Sequence, residues 1–288
     1  MKNINESGKD GQSMNKNLFS LKGKVIVITG ASGLLGREHC DAIACYGGTP
    51  ILLDLNQSVL NVQIEQIKEK YDIDARGYSV NITDEAAIKK NCQVIVKDFG
   101  KIDGLVNNAA NNPKVENSSE KNFSRLENFP ISIWNKDLAV GLTGAFLCAK
   151  HYGFVISNNK NGGTIVNISS DLGLIAPDQR LYKIEGLSED QQPVKPVTYS
   201  VVKSGMIGLT KYLSTYWAEK NVRCNTICPG GVKNNQNQDF VNEVVKRIPM
   251  NRMALKHEYQ GLLVFLLSNS SSYINGATIA ADGGRSSW

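Results

Sequence analysis

Lys24-Val25-Ile26-Val27-Ile28-Thr29-Gly30-Ala31-Ser32-Gly33-Leu34-Leu35-Gly36 is an apolar, β-branched run that breaks into a glycine-punctuated turn and then into apolar residues at helical spacing. The run predicts a buried strand over Lys24–Thr29, and the spacing after it predicts a helix over Leu35–Tyr46. Thr49–Asp54 (TPILLD) is a second apolar strand, followed by a helix over Ser58–Tyr71, a strand at Ala75–Val80 and a helix at Asp84–Phe99. The alternation goes on with strand Ile102–Val106, helix Ile133–Ser157, strand Thr164–Ile168, helix Thr198–Lys220 and strand Arg223–Ile227. Helices at Asp239–Ile248 and Tyr259–Leu267 and a strand at Thr278–Ala281 complete it. Short apolar strands alternating with amphipathic helices predict an α/β fold, a doubly wound parallel sheet of about seven strands covered on both faces. No compositional break divides the pattern, so residues 18–288 read as one domain behind a disordered polar leader over residues 1–17.

The composition agrees. Over 288 residues, 41% are hydrophobic, 20% charged and 7% aromatic, with 26 Gly and 8 Pro, which excludes collagen-like, coiled-coil and wholly disordered chains. The net charge of +5 is spread without a basic run, so neither nucleic acid nor a membrane is expected as a partner. No apolar stretch approaches the length of a membrane span, and the N-terminus lacks the apolar core of a signal peptide, so a soluble cytoplasmic protein is expected. Cys40, Cys45, Cys92, Cys148, Cys224 and Cys228 form no CxxC pair, and His39, His151 and His257 stand far apart. No metal site is expected, and the cysteines read as reduced, buried thiols.

The turn after the first strand carries the first chemistry. Glycines at 30, 33 and 36 allow a tight bend and the approach of a pyrophosphate to a helix N-terminus, whose amides and dipole favour anions. Asp54 ends the second strand, 18 positions beyond Gly36. A carboxylate there accepts from adenosine ribose hydroxyls and repels a 2′-phosphate, which favours NAD over NADP.

Tyr199-Ser200-Val201-Val202-Lys203 places a phenol and an ammonium four residues apart on one helical face. The ammonium is expected to favour the phenolate and so lower the tyrosine pKa from about 10. Gly163–Ser170 (GTIVNISS) is a strand that delivers serine hydroxyls to the same sheet edge. A hydroxyl donor, a phenol and an ammonium can polarise a carbonyl oxygen and exchange its proton.

With these residues in place, the chain from about Leu21 resembles the short-chain dehydrogenase/reductase family, whose fold is a single Rossmann-type domain. Further motifs carry the likeness: Asn107-Asn108-Ala109-Ala110, Asn81-Ile82-Thr83-Asp84, Asn225–Val232 with its Pro229-Gly230, and the closing Asp282-Gly283-Gly284. A fainter similarity runs to flagellin-modification and surface-glycan members. The resemblance implies Tyr199 as acid/base, Lys203 as its partner and ribose ligand, and Ser170 as the carbonyl-orienting donor, with Ser169 in reserve. It implies cofactor contacts from Gly30, Ser32, Gly33, Leu34, Leu35, Gly36, Asp54, Asn81, Ile82, Asn107, Ala109, Tyr199, Lys203, Pro229, Gly230 and Val232. Asn107 is expected to serve the adenosine side and to brace its strand.

The departures are specific. The turn is GxxGxxG, where the family usually shows GxxxGxG; Asn234 stands where a threonine is common; and Ser170 and Tyr199 lie 29 residues apart, a longer interval than usual. Gly141 stands where the family usually has an asparagine that anchors a proton-relaying water: if the relay still runs through Lys203, a second water or a neighbouring polar group must fill that space, and otherwise the glycine serves to let another helix or the long insertion pack closely.

The resemblance therefore implies an NAD-dependent oxidoreductase interconverting a secondary alcohol and a ketone. Two insertions, Asn111–Asn128 and Pro177–Pro196, follow strand ends where ligands bind in such sheets. Their polar residues and few aromatics point to a hydroxylated, sugar-like substrate. The alternatives are a nucleotide-binding regulator or assembly partner with little turnover, and an epimerase or dehydratase using NAD transiently. A homodimer or homotetramer is expected through the helices at Ile133–Ser157 and Thr198–Lys220, with Gly144, Ala145, Gly205 and Gly208 permitting close packing.

Overall fold

The computed structural model describes residues 17–111 and 124–288. The leader over residues 1–16 and the middle of the first insertion, residues 112–123, lie outside the described residues.

Seven strands form one parallel sheet in the order β3-β2-β1-β4-β5-β6-β7: β1 Val25–Thr29, β2 Thr49–Asp54, β3 Arg76–Ser79, β4 Gly104–Asn107, β5 Gly163–Ile168, β6 Val222–Pro229 and β7 Thr278–Ala281. The helices are α1 Leu34–Cys45, α2 Gln57–Tyr71, α3 Glu85–Phe99, α4 Ile131–Ser157, α5 Val197–Tyr216, α6 Gln238–Val245 and α7 Gln260–Leu267. Strand residues such as Ile26, Ile28 and Leu52 pack under α1 and α7, while Val27, Leu105 and Ile165 pack under α3, α4 and α5. At the centre of the sheet both faces are buried, which is why β1 and β2 read as continuous apolar runs rather than alternating ones, whereas the edge strands β3 and β7 are partly exposed.

Local signals set the boundaries. Asn56 caps α2 by accepting from Val59 N at 3.2 Å, and Asp84 caps α3 by accepting from Ala86 N and Ala87 N. Gly100 ends α3 with a left-handed φ of 75°. Some expected boundaries move: β6 runs on to Pro229, α6 stops at Val245, and α5 ends at Tyr216 before one tight turn over Ala218–Lys220.

Helix α4 differs from a regular α-helix. Over Ala139–Thr143 and Ala149–Gly153 its hydrogen bonds widen to the π pattern. It is also long and apolar enough to cross a membrane by length and composition alone. Half of its most apolar stretch is buried inside the fold, so a core-facing role accounts for the apolar content.

Two expectations are corrected by packing. All six cysteines are free thiols, but Cys45 is exposed rather than buried. Gly144, Ala145 and Gly205 serve contacts inside the chain: a Cβ on Gly144 would meet Ile82 Cδ1 at 2.8 Å, and one on Gly205 would meet Leu142 Cδ2 at 2.9 Å. Ala145 is itself buried. Of the four small residues, Gly208 alone faces open space. The outward faces of α4 and α5 instead carry Phe146, Phe154, Val201, Tyr212 and Tyr216.

Candidate active site

Strand β1 sends the chain to β2 on one side, and β4 lies on the other, so the crossover direction reverses between β1 and β4. The strand ends diverge there and open a crevice. Thr29 Oγ1 accepts from the backbone N–H of Asn108 and of Ala109, each at 3.1 Å, and Asn108 Nδ2 donates to the carbonyls of Thr29 and Gly30 at 3.0 Å. A cavity of about 670 Å³ runs from this point across the carboxyl ends of the sheet.

At one end sits the glycine turn. Gly30 has φ +63°, and a Cβ there would stand 2.9 Å from Ala109 Cα. A Cβ on Gly36 would stand 2.1 Å from Gly30 O, so this glycine lets α1 pack onto the turn. Gly36 accordingly lies beneath the cavity rather than in its wall, whereas Gly30, Ser32, Gly33, Leu34 and Leu35 line it. Gly33 precedes α1 without a side-chain cap, and no acidic residue lies in the first turn, which leaves the leading amides suited to an anion. Asp54 Oδ2 accepts from Ser32 N at 2.9 Å and Ser32 Oγ at 2.5 Å, and Oδ1 accepts from Leu55 N at 2.7 Å. Asn81 and Ile82 line the adjoining wall with Leu55 and Val80. The unfilled helix end, the close-packed glycines and the strand-end carboxylate fit a dinucleotide.

Asn107 does not reach the cavity. It is buried and donates to Asn167 Oδ1 at 2.9 Å between β4 and β5, which gives it the expected bracing role. Its Nδ2 also donates to Ala145 O at 3.4 Å, so the side chain is held on the sheet face that α4 covers.

At the other end, Ser170, Tyr199 and Lys203 line one wall, with Pro229, Gly230, Val232 and Asn234 opposite. Ser169 Oγ donates to Lys203 O at 2.6 Å and is committed to holding α5 against β5. Ser170 Oγ donates to Asp171 Oδ1 at 2.7 Å and accepts from Leu172 N. Lys203 Nζ donates to Ile168 O at 3.0 Å. Gly230 is required where the chain passes Asp282, since a Cβ would lie 2.8 Å from Asp282 Cα.

The electrostatics depart from expectation. Burial pushes the Tyr199 phenol above its ordinary value, hydrogen bonding with Ser170 pulls it back, and the charge on Asp171 adds to the rise. Burial likewise lowers the Lys203 ammonium to about 8, and Lys195 lowers it further, against a raising influence from Cys228. The lowered tyrosine inferred from YxxxK is therefore not what the protein alone provides, because desolvation of both groups disfavours their charged forms.

The environment of Gly141 favours close packing of another helix as the reason for the glycine. A Cβ there would stand 2.5 Å from Val202 Cγ1. The side chain nearest that position is Val202, buried on α5.

Several wall residues escaped the sequence reading. Asp171 pairs with Arg285 at 2.9 Å in a nearly buried ion pair. Arg285 is brought there by Asp282, whose carboxylate accepts from Gly284 N and Ser286 N, each at 2.9 Å. Lys195 Nζ lies 3.8 Å from the Tyr199 ring centroid. The spacing Lys195, Tyr199, Lys203 at intervals of four was legible in the sequence. The second insertion packs over the cavity: Asp178 accepts from Arg180 and from Arg247 Nε at 2.7 Å, and Gln192 bonds Ile184 and Leu187. Leu181 and Tyr182 then meet Phe240, Val244 and Met253 in an apolar wall that the polar composition of the insertion had hidden.

This arrangement can hold a C–O group between a serine hydroxyl and a phenol and exchange a proton with it, beside an apolar wall. Among the described residues no group of three or more His, Cys, Asp or Glu side chains could hold a metal.

The family model described as short chain dehydrogenase matches residues 24–182, and one described as enoyl-(acyl carrier protein) reductase matches residues 187–286. The chain is 31% identical over 280 residues to an NADP-dependent mannitol dehydrogenase of Alternaria alternata, covering 93% of this chain and 94% of that protein. It is 30% identical over 288 residues to an NADH-dependent L-xylulose reductase of Ambrosiozyma monospora, covering 94% and 97%. The solved structure of an NAD+-bound xylitol dehydrogenase superposes with a TM-score of 0.79 at 26% identity, over 92% of this chain and 99% of that one.

Proposed function

The chain belongs to the short-chain dehydrogenase family, and on that premise we propose that it is an NAD-dependent oxidoreductase interconverting a secondary alcohol and a ketone on a polyol or sugar-like substrate. The observation that carries the reading is the meeting of Ser170, Tyr199 and Lys203 at one end of a cavity whose other end holds the uncapped α1 N-terminus and Asp54. NAD(P), when bound, supplies or accepts the hydride. Tyr199 Oη exchanges the proton of the substrate oxygen, Ser170 Oγ turns its one proton from Asp171 Oδ1 to that oxygen, and Lys203 holds the cofactor ribose and the charge balance. The α1 amides hold the pyrophosphate, and the roof made by Leu181, Tyr182 and Phe240 keeps water out.

The choice of NAD rests on Asp54, whose charge would stand within a few ångströms of a 2′-phosphate. The relatives divide on this point, since one is named for NADP and another for NADH. The substrate class rests on the polar lining offered by Asn108, Asn111, Asn234 and Gln236, together with the polyols and ketoses for which those relatives are named. The exposed aromatics of α4 and α5 support self-association as a homodimer or homotetramer.

The test follows NADH absorbance over a panel of sugar alcohols and ketoses with each cofactor. NAD should be preferred at least about tenfold, and Asp54→Ala should narrow the margin. Equal kinetics with both cofactors would refute the cofactor reading, and no turnover of any polyol or ketose would refute the substrate class.

A further inference from the structure

Tyr199 is faced by charged and titratable groups from four parts of the fold. Asp171 and Ser170 come from the turn after β5, Lys203 from its own helix, Lys195 and Tyr182 from the second insertion, and Arg285 from the C-terminal segment. Of the two ammonium groups near the ring, Lys203 Nζ is 5.8 Å from the centroid and is bonded to Ile168 O. Lys195 Nζ is the nearer, at 3.8 Å. Asp171 faces both Tyr199 and Lys195, but its carboxylate is engaged by Arg285, Ser170 and Leu172 N.

Placement of Lys195 follows from the chain. Pro196 has no N–H and stands just before α5, so Lys195 belongs to the incoming segment rather than to the helix. Its backbone N–H donates to Gln179 Oε1 at 2.8 Å, which ties the residue to the roof. A cation above a phenol ring meets the negative face of the π system, and the attraction grows when the phenol ionises and spreads charge into the ring.

We propose that Lys195 is a second cationic partner of the Tyr199 phenol, a positioning residue that stabilises the phenolate from the ring face while Lys203 acts from the side of the helix. The inference rests on the reading of Tyr199 as acid/base. In alcohol oxidation the substrate hydroxyl gives its proton to the phenolate as the carbon gives its hydride to NAD+; in ketone reduction both transfers reverse and the phenolate is left beside two ammonium groups. Burial lowers the Lys195 ammonium to about 8 and Asp171 pulls it back up; in its charged form over the ring it favours the phenolate, so both directions gain: the phenolate is more populated, and the phenol is a stronger acid. The insertion that roofs the cavity thereby takes part in the acid–base chemistry, and this chain has a source of phenolate stabilisation that does not pass through Gly141.

The test reads Tyr199 directly. Protein labelled with 13Cζ-tyrosine is titrated in its NAD complex, with the Tyr199 resonance assigned by its loss in Tyr199→Phe. In Lys195→Met the midpoint should rise by at least about one pH unit, or leave the accessible range, while Lys195→Arg should keep it near the wild-type value. Far-UV circular dichroism and NAD affinity confirm the fold, and Lys195→Gln serves if Lys195→Met does not fold. The alkaline limb of kcat/KM should move with the same midpoint. An unchanged midpoint in Lys195→Met, or Lys195→Arg behaving like Lys195→Met, overturns the proposal. The titration needs no substrate, so failure to find a turned-over polyol would sink the functional reading while leaving Lys195 decided on its own evidence.

Discussion

Gly141→Ala gives the clearest contrast between packing and proton relay, because the two predict opposite signs. In an open helix, replacing Gly by Ala stabilises by about 1 kcal/mol through backbone entropy. Here the added Cβ would stand 2.5 Å from Val202 Cγ1, against about 3.5–4.0 Å for an optimal carbon contact. Val202 is 5% exposed, and as a β-branched residue in a helix it has one strongly preferred rotamer, so it cannot swing aside. Overpacking of this kind costs about 1–3 kcal/mol. Taking the upper end and subtracting the helix gain leaves a net loss of about 2 kcal/mol, or a fall in Tm of about 4–8 °C at about 2–4 °C per kcal/mol. Calorimetry and urea unfolding should both show it. Gly141→Ala/Val202→Ala should recover much of the loss, with a coupling of about 1–2 kcal/mol, because the new methyl enters the space the valine gives up. Gly141→Asn should lower Tm further and bring no gain in turnover. A higher Tm for Gly141→Ala, or a faster Gly141→Asn enzyme of unchanged stability, would refute the packing account.

Tyr199→Phe should reduce turnover by at least about a hundredfold with NAD affinity nearly intact, since it removes the transferable proton and little surface; Lys203→Met should damage both, and a Tyr199→Phe enzyme of near wild-type rate would show the assignment to be wrong. His39 is buried without a partner for Nδ1, and burial lowers its pKa from 6.5 to about 4. The folded state thus binds fewer protons than the unfolded one, so stability is full above about pH 6.5 and falls by up to about 3 kcal/mol as pH drops towards 4; His39→Leu should flatten that slope in urea midpoints, and parallel wild-type and variant curves would contradict it. Sedimentation should find an oligomer at micromolar concentration that Phe154→Asp with Tyr212→Asp dissociates; a stable wild-type monomer would remove the interface reading.

The sheet and the nucleotide end were legible because their determinants are local. Val25–Thr29 is apolar throughout since both sheet faces are covered, and Gly30, Gly33 and Gly36 are fixed by a turn that closes within a few residues. The four-residue spacing of Tyr199 and Lys203 is local in the same way, whereas Ser170 was singled out from Ser169 only by the resemblance to the family. Only the folded chain shows that Asn107 braces β4 against β5 and α4, that Gly36 supports the turn from below, and that Val202 from another helix fills the space beside Gly141. Arg285 meets Asp171 across 114 residues, and Lys195 reaches the Tyr199 ring from a segment that is not helical. The apolar wall of Leu181, Tyr182 and Phe240 forms only when the second insertion folds onto α6. Periodicity reports what one element buries against its own neighbours; the charges around Tyr199 come from segments that meet only when the sheet closes the distance between them, and their pKa values follow from a burial that no local pattern encodes.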